Sequence, residues 1–178
     1  MSKLICIDPG HSGKFDPGAV NGKYKEAIVT LGLSKKIAQR LKEVGYRVVM
    51  TRDEDKALTL QQRCDIANKA KADIFISIHT NSSTNKLAEG IETFKYPKSK
   101  HKLAECIQNA LVKNFPEEKN RGVKESEFYV LKHTKMPAAL CEVGFISHDE
   151  TAEKLYSYSY QMKLARVIVE GVQGFLGK

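Results

Sequence analysis

The chain has 178 residues, of which 42% are hydrophobic and 28% charged, with a formal net charge of +8 at pH 7. That length suits one domain, residues 1–178, whose core needs no disulfide or structural metal to hold it. The composition excludes a disordered chain, and with no run of about 18 apolar residues it excludes a transmembrane helix as well.

Leu4-Ile5-Cys6-Ile7 reads as a short buried strand, ended by the Pro9-Gly10 turn. A Gly-rich loop runs on to Gly22. It lacks the Gly-Lys-Ser/Thr and GxGxxG patterns of phosphate loops. From about Glu26 the apolar residues Ile28, Leu31, Ile37, Leu41 and Val44 recur at helical spacing, and Gly45 is a natural stop. Tyr46–Thr51 reads as the second strand. Thr59 with Gln62 forms a capping box that opens a helix to about Lys71.

Asp73–His79 is a strong strand, and the alternating stretch Gly90–Tyr96 a further one. Ser99–Asn114 reads as helix, Phe128–Leu131 as a short strand and Ala138–Val143 as an apolar strand. Ser147 with Glu150 caps a short helix. The last helix, Ser159–Leu176, carries Met162, Ala165, Ile168, Val169 and Val172 on one stripe. Strands joined by helices predict an α/β domain with a largely parallel sheet and helices on both faces.

Ligands of such folds bind at the carboxyl ends of the strands. His11 follows the first strand there, His79 closes the third, and Glu142 ends the Ala138–Cys141 run. Glu26 begins the first helix, whose N-terminus faces the same edge. Each has a plain structural reading: a turn cap for His11, a strand-end histidine for His79, a helix-dipole carboxylate for Glu26. Glu142 resists one, because a carboxylate inside Ala-Ala-Leu-Cys-Glu-Val-Gly-Phe needs a partner to offset its burial. Two imidazoles and one carboxylate are the ligand set of a catalytic zinc, and the remaining carboxylate can then take a proton from water.

Several blocks add weight. Ile7-Asp8-Pro9-Gly10-His11-Ser12-Gly13 followed by Asp16-Pro17-Gly18-Ala19 resembles the opening signature of the Amidase_3 family, the N-acetylmuramoyl-L-alanine amidases. The likeness continues in order through Thr51-Arg52, Leu60 and Arg63, Ala67-Asn68, Ser77–Ser82, Gly90-Ile91-Glu92, Met136-Pro137-Ala138 and Glu142–Ser147, so it covers nearly the whole chain. Ser12 and Thr80 stand where the family often has Gly and Ala.

The resemblance implies one α/β domain around a six-stranded sheet. It also implies zinc on His11, Glu26 and His79, with Glu142 as the catalytic carboxylate. The reaction would cut stem peptide from glycan in bacterial peptidoglycan, as an autolysin or a phage endolysin does. Asn81, two residues past His79, either bonds substrate or orients its loop. Arg63 and Asn68 are read as ties between helix and loop, and His101, His133 and His148 as surface residues. Competing classes are another zinc hydrolase on the same fold, a metal-free wall-binding module, and a nucleic-acid binder.

The charge of +8 reads either as a Lys-rich solvated surface or as attraction to a polyanion. No compact Lys/Arg run, zinc finger or RNA-binding aromatic signature is present, so nucleic acid is not expected, and an anionic cell-wall polymer fits the charge equally well. Cys6, Cys64, Cys106 and Cys141 form no CxxC pair and are read as buried free thiols, consistent with synthesis in a reducing compartment. The start turns polar too soon for a secretory signal. The expectation is a monomer made in the cytoplasm, not inserted in a membrane, that acts on the wall after release.

Overall fold

The computed structural model describes residues 2–177. Six strands form one sheet, in the order β4-β1-β5-β8-β6-β7. β1 is Leu4–Pro9, β4 Arg47–Met50, β5 Ile74–Asn81, β6 Ile91–Lys95, β7 Asn120–Glu125 and β8 Ala138–Phe145. All neighbours run parallel except β6 and β8. Residues 82–90, which lead from β5 to β6, contain no helix. A small antiparallel hairpin, β2 (Val20–Asn21) and β3 (Tyr24–Lys25), stands apart inside the Gly-rich loop. Gly22 sits in its turn at φ 56°, a left-handed conformation that costs glycine little.

Helices cover both faces. α1 (Glu26–Glu43), α3 (Leu103–Asn114), α5 (Asp149–Tyr156) and α6 (Tyr158–Leu176) bury one face, while α2 (Leu60–Lys69) and α4 (Tyr129–His133) cover part of the other. The central strands β1, β5 and β8 are apolar on both sides, which is why they read as near-continuous hydrophobic runs. The capping box at Thr59 forms as expected, with Gln62 N donating to Thr59 Oγ1 at 3.1 Å and Thr59 N to Gln62 Oε1 at 2.8 Å.

Several local expectations are corrected. Phe128–Leu131 is no strand: Phe128 precedes the helical turn α4, which sends Val130 and Leu131 into the core. The sixth strand is β7, whose Asn-Arg-Gly-Val-Lys-Glu carries a single apolar residue because it is a half-exposed edge. On α1 the buried stripe runs through Val29, Leu33, Ile37 and Leu41, and Ile28 faces solvent. Met162 of α6 is likewise exposed, beside the buried Ala165, Ile168, Val169 and Val172. The cap of α5 is His148, whose Nδ1 accepts from Thr151 N at 3.3 Å, and not Ser147. Cys6, Cys64 and Cys141 are buried free thiols, whereas Cys106 is only half-buried. Among the described residues no helix is long and apolar enough to cross a membrane.

Candidate metal centre

Two buried arginines shape the turn that carries His11. Arg63 of α2 donates to Asp8 Oδ1 at 2.8 Å, to Pro9 O at 2.6 Å and to His11 O at 2.8 Å. Arg52, just past β4, donates to Pro9 O at 3.1 Å and to Gly10 O at 2.7 Å. A buried carbonyl left without a partner costs about 1–3 kcal/mol, and Thr30 Oγ1 adds a further donor to Gly10 O at 2.7 Å. Asp8 is itself sealed, with Thr51 Oγ1 at 2.6 Å and Ser77 Oγ at 2.7 Å completing its shell. So clamped, His11 holds a left-handed φ of 60°, unusual for a residue with a side chain. Asn68 ties α2 to the α4–β8 connection, donating to His133 O at 3.0 Å and accepting from Lys135 N at 2.9 Å.

The turn brings His11 to Glu26 and His79. Their ligand atoms lie within 4.8 Å of one another. His11 Nε2 is 3.1 Å from Glu26 Oε2, and His79 Nδ1 is 3.0 Å from Glu26 Oε1. Glu26 is 3% exposed, and backbone amides orient both of its oxygens: Ala19 N donates to Oε2 at 3.0 Å and Thr80 N to Oε1 at 2.9 Å. His11 Nδ1 donates to Asp16 Oδ2 at 2.8 Å, which leaves Nε2 free to face inward. Sequence reading left this acceptor unidentified.

The three ligand atoms converge closely enough to hold one metal ion, and two imidazoles with a carboxylate are a donor set that zinc accepts. Two imidazoles with one carboxylate leave a further position open, as a catalytic zinc requires. The glycines around the group leave no slack. A Cβ on Gly10 would lie 2.4 Å from His79 Cε1, and one on Gly18 would lie 2.7 Å from Glu26 Oε2.

The electrostatics match. Burial would raise the pKa of Glu26, but hydrogen bonds from His11 and His79 outweigh it and hold the carboxyl far below the usual range. Burial would lower the pKa of His11, yet its bonds and attraction to Glu26 and Asp16 lift it to about 9. Glu142 differs. It pairs across the sheet with His79 and lines the same cleft of about 450 Å³, but its Oε2 is sealed with no hydrogen-bond partner. Burial pushes its pKa up to about 7, with His79 opposing. Leu58, Leu60, Phe128 and Tyr129 form the apolar wall of that cleft.

Asn81 points to the side. Its Nδ2 donates to Glu92 Oε1 of β6 at 2.7 Å and its Oδ1 accepts from Ser82 N at 2.8 Å, so one end ties to the neighbouring strand and the other to the loop. His101 and His133 are exposed and His148 half-buried, all away from the group.

The model of one protein family, described as N-acetylmuramoyl-L-alanine amidase, matches residues 5–174. The chain is 40% identical to the uncharacterized protein YqiI of Bacillus subtilis, over 97% of this chain and 84% of that one. It is 37% identical to the N-acetylmuramoyl-L-alanine amidase LytC of the same organism, covering 98% of this chain but only 36% of LytC. Among solved structures, the amidase AmiC2 of Nostoc punctiforme superposes with a TM-score of 0.93 at 38% identity, covering 99% of this chain and 98% of that one.

Proposed function

The chain belongs to the Amidase_3 family of N-acetylmuramoyl-L-alanine amidases, and from that premise we propose that it is a zinc-dependent hydrolase of bacterial peptidoglycan. The bond cut is the amide between the lactyl group of N-acetylmuramic acid and the L-alanine of the stem peptide. One observation carries the reading: an unpartnered carboxylate, Glu142, shares a cleft with a converging His–Glu–His group.

Zinc held by His11, Glu26 and His79 would supply Lewis acidity, polarising the amide carbonyl and bringing the pKa of a water near 7. The protein does the rest. Asp16 keeps the proton of His11 on Nδ1, so that Nε2 presents its lone pair to the centre. Ala19 and Thr80 hold the oxygens of Glu26 against rotation. Glu142 accepts a proton from the attacking water and returns it to the leaving amine of L-alanine. Burial, which raises the affinity of this carboxyl for a proton, favours both directions of that transfer. The apolar wall excludes bulk water from the reacting carbonyl. Asn81 acts by orienting the strand end behind His79. In the same reading the enzyme works on the wall as a monomer, after release from the cytoplasm, and its charge of +8 supports attraction to anionic wall polymers.

Glu142→Gln tests the division of labour. It keeps volume and hydrogen bonding but removes basicity. The variant should fold and retain zinc while turnover falls about 100- to 10,000-fold. Loss of zinc would make Glu142 a ligand, and near-normal lysis per zinc-loaded molecule would remove it from the mechanism.

A further inference from the structure

The row of polar side chains continues past Glu142. Glu92 of β6 lies directly opposite Glu142 on β8, just as His79 of β5 does on the other side. Three adjacent strands therefore carry His79, Glu142 and Glu92 abreast, on the sheet face that α2 and α4 leave partly open. Glu92 is 2% exposed and, unlike Glu142, fully partnered. Its Oε1 accepts from Asn81. Its Oε2 accepts from Arg121 Nε at 2.6 Å and from Lys124 Nζ at 2.5 Å.

Two cations thus face one buried carboxylate, and a single cation would neutralise it. Arg121 and Lys124 belong to β7, two strands across the sheet from Glu142 of β8, and are tied to that row through Glu92. Arg121 spends only Nε on Glu92. Its Nη1 and Nη2 have no acceptor among the described residues, its side chain is 29% exposed, and its guanidinium packs on the Phe145 ring at 4.8 Å. A guanidinium fixed by Nε and ring stacking, with two terminal amines unclaimed, is preorganised for a carboxylate.

Resting on the amidase reading, we infer that Arg121, assisted by Lys124, is a substrate-binding subsite for the free α-carboxylate of the stem-peptide residue after L-alanine. That residue is a glutamate joined onward through its side-chain carboxyl, so its α-carboxyl is free unless the wall amidates it. The spacing agrees. Strands lie about 4.8 Å apart, which places Glu92 about 10 Å from His79 across the sheet. An extended peptide advances roughly 3.3–3.6 Å per residue, so a chain with its scissile amide at His79 and Glu142 reaches Arg121 within two or three residues. Free and amidated stem peptides should therefore be distinguished at this position.

The test compares two soluble muramyl dipeptides, one carrying D-isoglutamate and one D-isoglutamine, with kcat/KM measured for both on the same preparation. The ratio is independent of the folded fraction. The wild type should favour the carboxylate form about tenfold, the scale of one charge-assisted hydrogen bond in a half-exposed cleft. Arg121→Gln should bring the ratio close to one. Lys124→Met should lower it less. Each variant leaves one cation on Glu92, which protects the fold. A wild-type ratio near one, or a ratio unchanged in both variants, overturns the subsite. If the wild type releases alanine termini from neither substrate, the amidase reading fails separately. Binding then decides the subsite, through the Arg121 Nε resonance on titration with L-alanyl-D-isoglutamate and its carboxamide. A shift with the carboxylate alone supports it, and equal or absent shifts reject it.

Discussion

At the scale of residues, the proposed zinc chemistry needs His11 and His79 as metal ligands set outside the apolar core. His11→Ala and His79→Ala should each lose zinc and activity while melting as cooperatively as the parent. Full zinc occupancy by emission spectroscopy in either variant would take that residue out of the ligand set. His11 also sets a pH dependence. Without metal its pKa is lifted to about 9, and only the neutral ring can bind the ion. Zinc affinity should therefore weaken as pH falls below about 9, by up to tenfold per unit. Competition against a chelator, corrected for the chelator's own protonation, measures this. A flat profile between pH 6 and 9 would show that no proton is displaced from His11.

At the scale of elements, α2 is the part on which the His11 turn depends. Arg63 is 4% exposed and joins Asp8, Pro9 and His11 to the helix. Arg63→Leu leaves Asp8 buried without its cation, and removal of one partner of a buried pair costs about 3–5 kcal/mol. Thr59→Ala removes only the cap of the same helix and should cost about 1 kcal/mol. Denaturant unfolding of both variants checks the order, and an Arg63→Leu loss below that of Thr59→Ala would mean the clamp carries little. Elements also explain what the sequence concealed. The strands β1, β5 and β8 are readable because burial on both faces demands unbroken apolar runs. β7 is not, because a half-exposed edge needs only Val123. Phe128–Leu131 has the composition of a strand, but tertiary packing makes it a helical turn. His11, Glu26, His79 and Glu142 stand at strand and helix ends that the pattern marked out, but spacing alone left their roles open and the family resemblance singled them out. Asp16 meets His11 through the shape of an irregular loop, which no periodicity encodes, and Arg121 gains its meaning from Glu92 on another strand.

At the scale of the whole molecule, the charge of +8 should help hold the protein on an anionic wall. The Debye length falls from about 10 Å at 0.1 M salt to about 3 Å at 1 M, so sedimentation with purified walls should weaken across that range. Removal of the anionic polymer should weaken it too. Binding indifferent to both would leave the charge as a solubility feature. The central claim, that zinc on one three-residue group drives amide hydrolysis, is tested most directly by mass spectrometry of peptidoglycan digested with metal-stripped protein. The account predicts no new L-alanine amino termini from the stripped protein and their full return with one equivalent of zinc. Equal release from protein shown to be metal-free, or release of acetate in place of alanine termini, would contradict it.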